Sequence, residues 1–331
     1  MVLGSLPRPD WLTKESPVND VVLSTRTRLM RNLRGHRFPN RADSPELMVI
    51  MGKVIEAAKS SPSVVKDPLI INRSLTNAER DYLVGCRLVS PEFEWTLPGR
   101  ALLLNESRTL SLMINEEDHL RVQAIVGGWD IQSADRVANE AVVHMADALD
   151  FAWAPSLGFL AASPANLGAG RRQSAMLHLI ALRESRRIDD VIRALGAQKI
   201  VVRGLFGESS RAIGAFAQVS VQHDSLPDFR GAVEYLVEEE RLEREKMGLA
   251  HITDHAAQVR DFVLRSRAFS LADSLRCLAW IRWAAVDQIE GFPAGPRPVD
   301  HALTALAIRP TIGEGDARLD RAQLLRDLFP A

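Results

Sequence analysis

Cysteine, lysine and long apolar runs are what this sequence has least of. Two cysteines in 331 residues, Cys86 and Cys277, cannot build a disulfide framework, and no Cys/His cluster has the spacing of a zinc site. No apolar stretch approaches the roughly 18 residues that cross a bilayer. The N-terminal segment interrupts its few apolar side chains with Pro7, Arg8, Pro9 and Asp10. A cytoplasmic protein with no membrane partner is therefore expected. Net charge is nearly absent as well: 41 Lys+Arg against 42 Asp+Glu leave -1, so no overall field draws the chain to nucleic acid. Walker A, GxGxxG, GxSxG and HExxH patterns are all missing, which removes the usual nucleotide and hydrolase signatures. What is present, 46% hydrophobic and 25% charged, is the composition of an ordinary folded chain. Its length suits one large domain or two ordinary ones.

The scarcity of lysine leaves almost all the positive charge to arginine, the lysines being Lys14, Lys53, Lys59, Lys66, Lys199 and Lys246. Codon bias accounts for most of such a skew. At particular positions it also matters chemically, because a planar guanidinium fork suits phosphate better than a point charge does.

Spacing divides the chain into two parts. Residues 46–59 carry Leu47, Ile50, Val54 and Ala58 at helical intervals. Thr76 and Glu79 have the capping-box spacing that opens a helix. The runs 101–104, 110–114 and 120–126 are short and broken by polar turns, as antiparallel strands are. After Ser133, Val137, Ala141, Met145 and Leu149 make a one-faced helix. Strands are expected at 151–155, 199–203 and 216–221, and a helix at about 174–182. From Pro227 onward the pattern is helical: Phe229, Val233 and Leu236 form a stripe, 238–246 reads as a solvated charge run with Glu240 and Arg244 one turn apart, and further helices fall at 252–267, 270–288 and 317–328. A Pro/Gly-rich break separates the last two at 291–298. The expectation is a mixed sheet-and-helix domain at 1–225 and a helical domain at 226–331.

Four segments carry chemistry. An apolar strand opening leads into Ser24, Thr25, Arg26, Thr27 and Arg28, and an extended chain sends both guanidinium groups out of one sheet face. Asn115, Glu116, Glu117, Asp118, His119, Leu120 and Arg121 place three consecutive carboxylates between two apolar strands. A simple turn needs no such repulsion, and a cationic ligand would explain it, although a solvated hairpin tip has the same composition. Ser163 is followed by Gly168, Gly170, Arg171, Arg172, Gln173, Ser174, Ala175 and Met176. Glycines running into a helix N-terminus would form an anion site of free N–H groups. Last, a strand delivers Arg203, then Gly204, Leu205, Phe206, Gly207 and Glu208. Together these segments ask for one ligand rich in negative charge and a second that is cationic, which ATP with magnesium and a guanidinium would satisfy.

In order and separation the four segments resemble the phosphagen kinases, the ATP:guanido phosphotransferases, and most closely their bacterial protein-arginine kinase branch (McsB type). The stretch from Asn115 to Arg121 is the family's most specific motif, and the resemblance runs from about Trp11 into the C-terminal helices. It implies an α+β fold, with a mainly antiparallel sheet flanked by helices and a C-terminal helical domain for dimerisation and substrate docking. By position, Arg26, Arg28, Arg121, Arg172 and Arg203 would clamp the ATP phosphates. Ser24, Thr25, Thr27, Arg87, Gln173, Ser174, Ala175, Met176, Gly204, Leu205, Phe206 and Gly207 would line the nucleotide site. Glu117 and Glu208 would hold the acceptor guanidinium, with Ser163 in the acceptor loop and Mg²⁺ carried by ATP rather than by direct protein ligands.

Three positions depart from the family pattern. Ser163 replaces the usual cysteine, Arg87 stands where bacterial members tend to have histidine, and 317–322 alters a C-terminal phosphoarginine-sensing motif. Only about twenty residues precede Ser24, where animal phosphagen kinases have a helical domain that selects small guanidino compounds. The expected activity is therefore in-line transfer of the γ-phosphoryl group of MgATP to arginine within proteins, with a homodimer, a zinc-binding activator protein, a Clp-type protease and a role in protein quality control as the implied setting. The competing readings are a kinase for a free guanidino compound, a catalytically silent scaffold, and an arginine-rich nucleic-acid binder.

Overall fold

The computed structural model describes residues 8–14, 16–59, 69–196, 200–204, 213–221, 226–306 and 314–330. Its strands are β1 (Val22–Arg31), β2 (Leu69–Ile71), β3 (Ala101–Leu104), β4 (Leu110–Ile114), β5 (Leu120–Gly127), β6 (Trp153–Ala154), β7 (Gly158–Phe159), β8 (Arg171–His178), β9 (Ile200–Gly204) and β10 (Phe216–Val221). Eight of them form one antiparallel sheet in the order β2-β3-β4-β5-β1-β8-β10-β9, and β6 and β7 make a separate ribbon. The helices are α1 (Asp10–Thr13), α2 (Ser44–Lys59), α3 (Asn77–Gly85), α4 (Ile131–Ala146), α5 (Ile180–Glu184), α6 (Ile188–Gly196), α7 (Leu226–Arg265), α8 (Leu271–Val286), α9 (Arg297–Ala305) and α10 (Glu314–Arg326). None of these helices is long and apolar enough to cross a membrane.

Because side chains alternate along a strand, the sheet has two different faces. Leu29, Leu112, Val122 and Ala124 leave by the back face and pack with Ile50 and Val54 of α2 and Ala138, Ala141 and Met145 of α4. Farther along the same face, Ala175, Leu177, Ala217 and Val219 meet Val191 and Leu195 of α6 and Phe229, Val233 and Leu236 of α7. At one side of the front face, Leu102, Leu104, Met113 and Ile125 lie with Trp11 of α1 and Leu83 of α3. At one end of the front face, Met176 and Phe216 share a core with Leu278, Ile281 and Trp283 of α8. What these helices leave uncovered on the front face is where the arginines stand.

The expected strands at 101–104, 110–114 and 120–126 are β3, β4 and β5, and the capping box is made in full. Thr76 Oγ1 accepts from Glu79 N (3.3 Å), and Glu79 Oε2 accepts from Thr76 N (2.9 Å). Four expectations need correction. Residues 174–182 are not one helix: 171–178 is strand β8, paired on both edges with β1 and β10, and only Ile180–Glu184 is helical. The strand expected at 151–155 shrinks to Trp153–Ala154 and a bridge between Leu33 and Phe151. The break at 291–298 contains the start of α9, with proline in its first turn. Finally, 238–246 is not a solvated run, because Glu240 is 0% and Arg244 8% exposed inside α7, which continues to Arg265 across a break at Gly248.

Candidate active site

The register of β1 and its neighbours aligns the expected residues in rows. Arg28 lies opposite Arg172 on one side and Gln123 on the other, and Arg26 lies opposite Ser174. Ser24 is aligned with Met176, Met176 with Gln218, and Gln218 with Arg203. Arg121 stands two residues before Gln123 on β5, hence on the same face. Arg87 comes from the segment after α3, in a left-handed backbone conformation (φ 59°), and reaches Ser24 Oγ at 3.4 Å. Remote stretches of sequence therefore deliver Arg26, Arg28, Arg87, Arg121, Arg172 and Arg203 to one face of one sheet.

Among the described residues no carboxylate bonds to Arg26, at the centre of this cluster. The Arg26 guanidinium donates to neutral acceptors, Ser174 Oγ (3.2 Å), Gln123 Oε1 (3.3 Å) and Gln218 Oε1 (2.9 Å). Arg28 Nε has no hydrogen-bond partner among the described residues. Burial, reinforced by the positive charges of Arg87, Arg121 and Arg172, pushes Arg26 down to about 9. Burial pushes Arg28 well below the ordinary arginine value too, aided by Arg26, Arg121 and Arg172 and opposed by Glu116. Burying like charges together costs energy unless something opposite arrives. A polyanion such as a triphosphate is the ligand that removes that cost.

The acidic loop is sorted by the fold into different tasks. Asn115 takes a left-handed conformation (φ 53°) and donates from Nδ2 to the carbonyls of Leu47 (2.9 Å) and Gly99 (2.7 Å). Asp118 Oδ1 accepts from Asn32 Nδ2 (2.6 Å) and from the backbone N–H of Ala162 (2.7 Å), fastening the loop to the segment that ends at Ser163. His119 Nδ1 accepts from Leu33 N (2.9 Å), so its Nε2–H donates to the Arg37 carbonyl (2.8 Å). Glu116 is held by Ser90 Oγ and by Arg121 Nη2 at 2.7 Å. Only Glu117 stays largely exposed, 3.6 Å from Arg121 Nη2. Its pKa is raised by burial and by Asp118 and Glu116, with Arg121 and Arg172 opposing. Two of the three carboxylates therefore meet Arg121, and Glu117 is the exposed one at the edge of the arginine cluster.

Other expected residues are placed differently. The anion site expected at a helix N-terminus after Gly170 has no helix: Gly168 (φ 94°) and Gly170 (φ 56°) turn the chain into β8 instead. A Cβ at Gly170 would lie 2.6 Å from Arg31 Nη1, so the close approach requires glycine. The side chains of Thr25, Thr27, Gln173 and Ala175 leave by the back face, where Thr25 Oγ1 donates to the Gly128 carbonyl (2.6 Å) and Gln173 to Asp135 (3.1 Å). Met176 is on the front face but buried in the core beside α8. Ser163 precedes a short 3₁₀ turn, Pro164–Asn166, without capping it. Gly204 ends β9, and Leu205, Phe206, Gly207 and Glu208 lie outside the described residues. Among the described residues no group of three His, Cys, Asp or Glu side chains is disposed to hold a metal ion.

Gln123, Gln218 and Ser90 belong to the site and were not singled out by sequence, and Glu116 was read there only as one of three adjacent carboxylates. Parity was the available signal for two of them, since Gln123 shares the face of Arg121 and Gln218 is the cross-strand partner of Arg203.

Residues 50–226 match the family model described as "ATP:guanido phosphotransferase, C-terminal catalytic domain". The chain belongs to the ATP:guanido phosphotransferase family. It is 34% identical to the protein-arginine kinase of Halothermothrix orenii over 263 residues, covering 77% of this chain and 74% of that one. It is 31% identical to the protein-arginine kinase of Bacillus subtilis over 284 residues, covering 82% and 78%. Among solved structures, lombricine kinase shares the fold with a TM-score of 0.58 at 22% identity over 72% of each chain. The duplicated taurocyamine kinase of Schistosoma mansoni with bound transition-state analog components gives 0.60 at 20% identity, over 78% of this chain and 40% of that one.

Proposed function

We propose that the protein transfers the γ-phosphoryl group of MgATP to the guanidinium of arginine residues in proteins. The observation that carries this reading is the convergence of half-buried arginines on one sheet face, with Arg26 bonded to neutral acceptors and Glu117 at the edge of the cluster. The names of its relatives support the choice of acceptor. Arg26, Arg28, Arg121, Arg172 and Arg203 bind the phosphate oxygens, and Arg87 completes the nucleotide side. Fixed cations matter most for a transferring phosphoryl group whose charge is spread over its equatorial oxygens. Mg²⁺ arrives with the nucleotide.

A guanidinium is protonated at neutral pH and is a poor nucleophile. Glu117 orients it and takes the proton that leaves as the N–P bond forms, a role that a raised carboxyl pKa favours. Glu208 is the second carboxylate in this proposal, and Ser163 supplies a hydroxyl beside the acceptor. Alignment of this kind contributes roughly 7–11 kcal/mol to lowering a barrier. The division at residue 225 and the cytoplasmic location rest on the sequence pattern, the homodimer, the zinc-binding activator, the Clp-type protease and the role in quality control rest on family resemblance, and all belong to the proposal. The direct test is mass spectrometry under non-acidic conditions of proteins incubated with the enzyme and ATP. Phosphoarginine on protein is expected, and label found only on free arginine would transfer the reading to a small guanidino acceptor.

A further inference from the structure

Among the described residues, the C-terminal helices approach the arginine cluster through α8 and α9. Arg282 of α8 is fully enclosed, and its Nε and Nη2 donate to the Asp300 carboxylate of α9 at 2.7 and 3.3 Å. The same guanidinium donates to the carbonyls of Asp20 (2.8 Å) and Asn19 (2.7 Å), just ahead of the strand that carries Ser24, Arg26 and Arg28. On its other side α9 lies directly on the end of α3. A Cβ at Gly85 would fall 2.0 Å from the Thr304 carbonyl oxygen, so only glycine permits the contact. His301 Nε2 donates to the Leu12 carbonyl at 3.1 Å.

Two residues past Gly85, Arg87 stands 5.9 Å from the Trp11 ring. Its carbonyl accepts from Gln123 Nε2 (2.6 Å), the same side chain whose oxygen accepts from Arg26. Burial pushes Arg87 down to about 10, and the Asp300 carboxylate is the charge that opposes this. A buried ion pair is seldom kept for stability, since apolar side chains of equal volume usually do as well. This one lies between the two backbone segments that flank the nucleotide side.

We propose that Asp300 is a positioning residue of the nucleotide site: through Arg282 it fixes the turn before β1, and through the seat of α9 on Gly85 it fixes the segment carrying Arg87. The spacing of the phosphate-binding arginines is thus set by the C-terminal helices as well as by the sheet. This rests on the reading of Arg26, Arg28 and Arg87 as nucleotide residues.

The test uses the full chain and follows MgATP binding together with steady-state kinetics for wild type, Asp300→Asn and Asp300→Glu. The expected result is a rise of roughly tenfold in KM for MgATP with Asp300→Asn, partial recovery with Asp300→Glu, and little change in kcat or in KM for the protein acceptor. An unchanged KM for MgATP, with apparent kcat falling only as the folded fraction falls, overturns the proposal. Where Asp300→Asn does not fold, wild type alone decides. Amide exchange across 297–305 slows when a non-hydrolysable MgATP analogue binds, and unchanged exchange there overturns it. If wild type binds no MgATP, the nucleotide reading and this proposal fall together; if it binds while these signals stay flat, only this proposal falls.

Discussion

Two regions of the chain treat arginine oppositely. At the foot of α7 and in α8, Arg244 has Glu240 at 2.8 Å and Arg282 has Asp300 at 2.7 Å, and backbone carbonyls take the remaining donors. On the open face of the sheet, Arg26 meets, among the described residues, a serine and two glutamines. The first arrangement is complete as it stands, because every desolvated cation has its anion. The second is complete only with a ligand. A buried cation is thus informative about function through its partner, and the missing partner describes what binds.

That contrast can be broken by experiment. The largest effect is expected on the open face: Arg28→Met should lower phosphoryl transfer by about 10³- to 10⁵-fold, while thermal unfolding shows the same or higher stability because a like charge has left the cluster. A clear loss of stability would mean that Arg28 serves the fold. Next is Glu117→Gln, expected to cost about 10²- to 10⁴-fold in transfer with MgATP binding retained. Because the Glu117 pKa lies above its usual 4.5, the wild-type rate should fall as pH drops through that raised value, the carboxylate being lost on protonation. The variant should lack this limb of the pH profile, and an unchanged limb would assign the proton to another group.

The closed arrangement should respond in the reverse sense. Glu240→Ala strands Arg244 and removes the acceptor for the Ala181 and Leu182 N–H groups, which it now receives at 3.0 Å each. A loss of about 3–5 kcal/mol in denaturant unfolding is expected, with the rate per folded molecule unchanged. The smallest effect is expected at Ser163→Cys, which should preserve or modestly raise transfer. A large loss would separate this segment from the acceptor.

The sequence carried the charged half of this picture well. Arg26 and Arg28 announce their shared face by spacing alone, and the Thr76–Glu79 box and the strands 101–104 and 110–114 are local patterns that tertiary packing left intact. The segment 171–178 misled for a physical reason. It is buried on both faces and paired on both edges, so it shows no polar alternation, and the helix-forming Gln173, Ala175, Met176 and Leu177 were overruled by pairing with β1 and β10. Glu240 and Arg244 looked solvated because a one-turn pair reads the same in water or in a core. Parity could place Gln123 and Gln218 on the arginine face, but a neutral amide acquires its role only from the guanidinium beside it.

Strand β1 has one further consequence. Both of its edges are occupied, by β5 and by β8, over most of its ten residues. Inserting or deleting a single residue there would invert the whole strand, driving two guanidinium groups into the oil of α2 and α4 and lifting Thr27 and Leu29 onto the working surface. Length variation among descendants of this chain must therefore gather in its connections, while β1 keeps its residue count as strictly as a reading frame.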